Sequence, residues 1–305
     1  MKAVRLHQYG PPENLIFETD VPPPALGDNA VLIEAAAASI NPIDWKIRSG
    51  VRQKDFPLAL PAILGKDISG VVRTVGAGVR NFKPGDRVVA LAEATYAQFV
   101  AVDAAIVSHL PDGVPLVDAA AIPLACLTGD QLVRSATHIR AGQTLIVSGA
   151  LGSVGRCAVH SAQKLGVHVI AAVRSAQLDE AKALRVSATV ALDDPEALAG
   201  LAGVDGVADT VGGATAAGLF SLVRNGGSFG YASVLPETTA ASNPAVKVSR
   251  VFARPNPSTV REFADDLRDG KFALPISRRL PLEEAAQGHA LMEKGGAGKI
   301  ILLSP

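Results

Sequence analysis

The sequence predicts an α/β protein in two parts, a β-rich, barrel-like part and a doubly wound part with a parallel sheet. Three observations predict it. Residues Thr144–Arg174, TLIVSGALGSVGRCAVHSAQKLGVHVIAAVR, read as strand, glycine turn, helix and strand. Before residue 116 the chain is a series of short apolar runs between dense turn signals, and after it strand-like and helix-like segments alternate.

Within the first of these, Leu145–Ser148 is an apolar strand, and Gly149-Ala150-Leu151-Gly152-Ser153-Val154-Gly155 is the turn. A helical pattern runs to Leu165, Gly166 breaks it, and Val167–Val173 is the second strand. In such a unit the backbone N–H groups opening the helix face a pyrophosphate, and the glycines permit the tight turn. By position Ala150, Gly152, Ser153 and Val154 lie on that pyrophosphate. An acidic residue about 20 positions past the loop would bond a ribose 2′-hydroxyl and mark NAD. Here Val173-Arg174-Ser175 stands there. A guanidinium and a hydroxyl suit a 2′-phosphate, so the expected cofactor is NADP(H), held by Arg174 and Ser175.

In the β-rich part, strands are expected at Lys2–His7, Asn14–Thr19, Ala30–Ala38, Ile68–Thr74, Arg87–Ala92 and Tyr96–Val102. Pro22-Pro23-Pro24 and Pro84-Gly85-Asp86 mark turns between them. Leu116–Ser135 reads as helix, kinked or divided at Pro123. Beyond the nucleotide unit, strands are expected at Thr189–Leu192, Gly206–Asp209, Gly227–Ala232 and Val246–Phe252, with helices at Asp179–Arg185 and Ala214–Val223. Two helices, Ser258–Asp269 and Leu282–Glu293, precede a last strand, Lys299–Leu303. This C-terminal segment is expected to rejoin the first domain. The expected domains are therefore 1–120 with 254–305, and 121–253.

Composition narrows the classes of function. Of 305 residues, 48% are hydrophobic and 19% charged, enough apolar content for a sizeable core. Lysine plus arginine equals aspartate plus glutamate, 29 each, so no basic footprint points to nucleic acid. No signal-peptide core and no run of about 18 apolar residues is apparent, so the expectation is a cytoplasmic protein without a membrane span. The two cysteines, Cys126 and Cys157, have no neighbour at zinc-ligand spacing and read as buried thiols. The six histidines are scattered, so no metal is expected.

Several motifs together carry a resemblance. They are Ile40-Asn41-Pro42-Ile43-Asp44-Trp45-Lys46, Leu64-Gly65-Lys66-Asp67-Ile68-Ser69-Gly70, Phe82-Lys83-Pro84-Gly85-Asp86-Arg87-Val88, Ile122-Pro123-Leu124-Ala125-Cys126-Leu127-Thr128 and Gly298-Lys299-Ile300-Ile301-Leu302. With the nucleotide unit they span almost the whole chain. The sequence resembles the medium-chain dehydrogenase/reductase superfamily, in its zinc-free, zeta-crystallin-like quinone-oxidoreductase branch. The resemblance implies a GroES-like β-barrel domain and a Rossmann domain, with NADPH as hydride donor and quinones or activated alkenes as acceptors. It also implies a homodimer, for which Val246–Phe252 is the expected pairing strand. Zinc-binding relatives carry a catalytic cysteine, a Gly-His-Glu motif and a four-cysteine lobe. Here Asn41-Pro42 and Gly65-Lys66-Asp67 replace the first two and the lobe is missing.

The resemblance further implies that Asn41 and Thr128 meet the nicotinamide end, that Val211 lies near the adenosine ribose, and that Tyr231, Ala232 and Ser233 face the carboxamide. Asn41 precedes a proline and is expected to be extended. Asp44 and Lys46 are the remaining expected catalytic residues. A cationic Lys46 would stabilise enolate charge as hydride arrives, while the alternation of both with Ile43 and Trp45 equally fits a solvated face. The expected function is a zinc-independent NADPH-dependent reductase of quinones or α,β-unsaturated carbonyls. Its alternatives are an NADP(H)-binding redox sensor or nucleic-acid binder with little turnover, and a metal-free alcohol dehydrogenase. Few aromatics are available to stack on a quinone ring: Trp45, Phe56, Tyr96 and Tyr231.

Overall fold

In a computed structural model the chain divides into two compact units, residues 1–124 with 255–305, and residues 125–254. The structure describes residues 1–201 and 203–305. The first segment carries β1 (Ala3–Leu6), β2 (Leu15–Glu18), β3 (Ala30–Ile40), β4 (Ala62–Ile63), β5 (Asp67–Val75), β6 (Arg87–Leu91), β7 (Phe99–Asp103) and β8 (Val107–His109). The second unit carries β9 (Thr144–Ser148), β10 (His168–Val173), β11 (Ala188–Ala191), β12 (Val204–Asp209), β13 (Val223–Tyr231) and β14 (Lys247–Arg250). The returning segment supplies β15 (Ile276–Pro281) and β16 (Lys299–Leu303) to the first unit.

In the first unit, β2, β1 and β4 form one small sheet. A seven-stranded sheet follows the order β15-β16-β3-β5-β6-β8, with β7 also paired to β3. Strand β3 organises it: one edge pairs β5, while the other is shared by β7 along residues 30–34 and β16 along residues 37–40. Its alternating burial follows the two-residue period of its apolar side chains, with Val31 and Ile33 at 0% exposure against Ile68 and Val88. The barrel expected from the strand count is open in its pairing. Among the described residues, strand β1 meets the segment leading into β7 through the isolated bridge Ala3–Ala97 instead of a continuous ladder. Strands β4, β8 and β15 were not read from the sequence, because two or three residues, or a charged run such as Ser277-Arg278-Arg279, give too weak a period.

The helix α1 (Pro42–Arg48) was also not anticipated. Asn41 is extended as expected, at φ −122° and ψ 157°, and Pro42 at the first helical position starts the turn. Asp44 turns back to accept the Asn41 backbone N–H at 2.8 Å, half of a capping box. The expected division at Pro123 separates α2 (Leu116–Ala119) from α3 (Pro123–Gln131), and a π-helical turn at Leu132–Ala136 follows. By length and composition Leu116–Ala136 (mean hydropathy 1.4) would suit a membrane, but 67% of its window is buried inside the molecule, so core packing accounts for its apolar character.

The second unit is a six-stranded parallel sheet in the order β11-β10-β9-β12-β13-β14. The chain leaves β9 toward β10 on one side and reaches β12 on the other, so the order reverses at β9, where open α/β sheets bind ligands. Leu145, Val147 and Ala158 pack one face with the helix α4 (Ser153–Lys164), and Ile146, Val207 and Phe229 fill the other.

Candidate functional site

In the nucleotide unit the carboxyl ends of β9, β10, β12 and β13 fall at one sheet edge, since Ser148 aligns with Ala172 and Asp209 with Tyr231. Ala150, Gly152, Arg174, Ser175, Val211, Ala232 and Ser233 follow those strand ends, Tyr231 is the last residue of β13, and Ser153 and Val154 open the helix that leaves the β9 turn. The turn admits only glycine at two positions. Gly149 has φ +60°, and a Cβ on Gly155 would stand 2.1 Å from the Gly149 carbonyl oxygen. Gly152 precedes α4 without a side-chain cap, so the helix's first N–H donors carry no side-chain acceptor from that position. A helix start left open in this way fits an incoming phosphate.

Behind the turn lies a polar network that the sequence did not reveal. Ser148 Oγ donates to Asp209 Oδ1 at 2.6 Å and accepts the Thr210 N–H at 2.9 Å, while Thr210 Oγ1 donates to the Ser148 carbonyl at 2.7 Å. It fixes the loop Asp209–Gly212 against the glycine turn. Burial pushes the Asp209 carboxyl above its usual range. Val211, 44% exposed, projects from this loop. Thr128 is buried on α3, and the thiols of Cys126 and Cys157 are also buried, 3.5 Å apart. At the end of β10 the Arg174 Nε donates to Gln177 Oε1 at 3.2 Å. The neighbouring Ser175 gives both its N–H (2.8 Å) and its hydroxyl (2.7 Å) to Asp193.

In the other unit, the end of β3 and the start of β5 build a buried cluster. Asp67, 0% exposed, accepts Ser39 Oγ at 2.5 Å, Asn41 Nδ2 at 2.8 Å and the Leu124 N–H at 2.7 Å. Lys299, from β16, donates to Asn41 Oδ1 at 2.8 Å and Asp67 Oδ2 at 3.3 Å. A buried ion pair of this kind persists because both charges keep several hydrogen bonds, and breaking one partner leaves the other uncompensated. Asn41 therefore has its amide engaged on both sides.

Next to this cluster is a cavity of about 290 Å³ lined by Asp44, Ile47, Phe56, Leu64, Lys66 and Glu93, among others. The Lys66 ammonium pairs with Glu93 at 2.5 Å and lies 5.1 Å from the Phe56 ring centroid. Asp44 Oδ2 accepts the Asn41 N–H and the Tyr96 hydroxyl (3.0 Å), whereas Oδ1 is buried without a hydrogen-bond partner among the described residues. Burial raises the Asp44 carboxyl to about 7, against the pull of those two donors and of Lys66. Tyr96, also fully buried, lies 3.1 Å from His289 Nε2. Burial, with Arg48 nearby, lowers His289 to about 3, so the imidazole is neutral at neutral pH.

Of the expected catalytic residues, only Asp44 lines the cavity. The reading of Asp44 as part of a solvated face is corrected: it is 1% exposed, because the capping turn of α1 points it inward. Asn41 and Lys46 do not line it, and the Lys46 ammonium lies 5.7 Å from the Trp45 centroid. The cation at the cavity is Lys66. Tyr96, expected among the aromatics able to stack on an acceptor ring, is instead a buried hydrogen-bond link. Sequence reasoning missed His289 and Lys299, which the returning segment delivers far from their partners in sequence. It also missed Asp193, which carried no motif.

The comparisons agree with this architecture. Residues 27–112 match the alcohol dehydrogenase GroES-like domain, and residues 179–302 match the family described as zinc-binding dehydrogenase. A probable quinone oxidoreductase of Schizosaccharomyces pombe is 30% identical over 324 residues, covering 98% of this chain and 96% of the relative. The solved quinone oxidoreductase of Coxiella burnetii superposes with a TM-score of 0.87 at 29% identity, covering 99% of both chains. A mycobacterial protein solved in complex with NADPH gives a TM-score of 0.78 at 26% identity, covering 99% of this chain and 100% of that one. Zinc does not fit the positions where zinc relatives hold it. The Lys66 ammonium is paired to Glu93, and the Asn41 amide to Asp67 and Lys299, leaving no thiolate or imidazole donor there. The glycine turn at β9, in contrast, fits the nicotinamide dinucleotide that this family binds.

Proposed function

This chain belongs to the medium-chain dehydrogenase/reductase superfamily, in its quinone-oxidoreductase branch, and we propose that it is a zinc-independent, NADPH-dependent reductase of quinones or small α,β-unsaturated carbonyls. The observation that carries the reading is Asp44, a buried carboxyl with a near-neutral pKa, lining a cavity that also holds the Lys66 cation. Reduction of such an acceptor needs a hydride, a proton and a means of stabilising charge on oxygen. When bound, the nicotinamide supplies the hydride. The turn 149–155 would hold the pyrophosphate, and Arg174 the 2′-phosphate.

The remaining work falls to side chains of the cavity. Reduction of the acceptor would leave negative charge on its carbonyl oxygen. Lys66 stabilises that oxyanion. The proton on Asp44 Oδ1, which has no acceptor among the described residues, passes to the oxygen and leaves a carboxylate that water reprotonates. The Tyr96 hydroxyl holds Asp44 Oδ2, and neutral His289 holds Tyr96. Phe56 offers an apolar face for a small ring or alkene. We read the protein as a cytoplasmic homodimer paired through β14, which ends the six-stranded sheet and leaves one edge of its backbone unpaired there. Neither nucleic acid nor membrane is an expected partner.

The test is NADPH consumption by the purified chain against a panel of quinones, enones and enals, with saturated alcohols plus NADP⁺ as the contrasting arm. Turnover confined to the first three supports the reading. Tight NADPH binding with no turnover on any acceptor would replace it with the sensor reading.

A further inference from the structure

We propose that Asp193 is a specificity-determining residue that opposes the cofactor's 2′-phosphate and so restrains the preference for NADPH that Arg174 creates. The inference rests on the dinucleotide-binding reading above and deepens it. The end of β10 bears no acid, which by itself points to a phosphorylated ribose. The fold, however, supplies an acid from the next strand. Asp193 lies two residues past β11, and β11 pairs with β10 in register up to Val173–Ala191. That pairing sets Asp193 beside Ser175, whose N–H and hydroxyl both donate to the same oxygen, Oδ1, at 2.8 and 2.7 Å.

Two physical consequences follow. The Ser175 hydroxyl, one of the two donors expected for the 2′-phosphate, is already committed to a carboxylate. That carboxylate also places a negative charge next to the position a dianionic phosphate would take. Asp193 is ionised at neutral pH, since the Ser175 hydroxyl and N–H, with Arg174, hold it below the usual carboxylate range. Arg174 is the compensating cation, steadied by Gln177. A bare 2′-hydroxyl meets no such repulsion and can donate to the Asp193 carboxylate. The pair Arg174 and Asp193 therefore act in opposite directions on the same atom of the cofactor.

The experiment is equilibrium titration of the full chain by fluorescence and calorimetry. The probes are NADPH, NADH, adenosine 2′,5′-bisphosphate and AMP, and the variants are Asp193→Asn, Asp193→Ala and Ser175→Ala. Removing a like charge at a solvent-exposed site should tighten NADPH and the bisphosphate by roughly 3- to 30-fold. NADH and AMP should stay the same or weaken, and the gain should shrink at high salt. Ser175→Ala, which leaves the carboxylate in place, should not reproduce the gain. Parallel changes for phosphorylated and unphosphorylated probes, or no change at all, would overturn the proposal and leave Asp193 a structural cap for Ser175. Failure of the wild-type chain to bind any dinucleotide would instead overturn the cofactor reading, and this inference with it.

Discussion

Asp44 and His289 share one phenol: the Tyr96 hydroxyl lies 3.0 Å from Asp44 Oδ2 and 3.1 Å from His289 Nε2. The three come from α1, the loop before β7 and a helix at residues 285–294, and all are buried. The two titratable ends are shifted in opposite senses, both chiefly by burial, the carboxyl up to about 7 and the imidazole down to about 3. Each is thereby held in its uncharged form over much of the pH range in which its exposed counterpart would be charged.

That opposition sets a stability prediction. The folded Asp44 binds its proton more tightly than the unfolded carboxyl at 3.8, so its contribution falls as pH rises from about 4 to about 7. The folded His289 binds its proton more weakly than the unfolded ring at 6.5, so its contribution is complete above that pH and is lost as pH falls toward 3. Between about 4 and 6.5 the two slopes cancel. Asp44→Asn should unmask the histidine slope, so that stability relative to wild type falls on acidification by up to about 1.4 kcal/mol per pH unit. His289→Asn should unmask the reverse slope. Denaturant titrations at half-unit pH steps measure both, and variant curves parallel to wild type would contradict the assignment.

Under the proposed mechanism Asp44 would also set the pH dependence of turnover. With the proton donor titrating near 7, kcat should decline about tenfold per unit at higher pH. Asp44→Asn should lower kcat and flatten the profile, with NADPH affinity preserved. An unaltered alkaline limb in the variant would assign the proton to water.

Lys66 and Lys46 make competing claims on the oxyanion. Lys66→Met should lower kcat by roughly 10- to 100-fold while leaving the NADPH Kd unchanged. Lys46→Ala should have a small effect, because its ammonium lies by Trp45 and not at the cavity. If the loss falls on Lys46 instead, the cavity is not where the acceptor reacts.

Arg174→Ala should weaken NADPH by roughly 10- to 100-fold through loss of a charge-assisted contact, with NADH nearly unchanged. Paired titrations read this directly, and equal losses for both cofactors would remove Arg174 from the 2′-phosphate.

Activity should withstand prolonged chelation. Elemental analysis of active protein should find zinc far below one atom per chain, because the positions of the zinc ligands carry an ammonium and an amide already bonded within the protein. Stoichiometric zinc in active samples would refute this.

Most of the nucleotide unit was legible because its information is local. The glycines at 149 and 155 are required by backbone geometry within seven residues, and the apolar runs around them have the periods of strand and helix. The cavity was less legible. Asp44 looked like one polar residue in an alternating run, and only the capping turn at Asn41 and Pro42 aims it inward. Lys66 stood within a recognised motif, yet its packing near Phe56 and its pairing with Glu93 depend on loops outside that motif.

The sequence by itself determined the two-part α/β architecture, the glycine turn after β9 and the absence of the zinc-ligand motifs. Each depends on residue types at fixed short spacing, where covalent geometry leaves few choices. Only the tertiary structure decided which polar and charged groups meet. Lys299 reaches Asp67 because β16 pairs with β3, His289 reaches Asp44 through Tyr96, and Asp193 reaches Ser175 because β11 lies in register beside β10. Electrostatic effects fall off with distance and rise with burial. Neither quantity exists for residues this far apart until the sheets have formed.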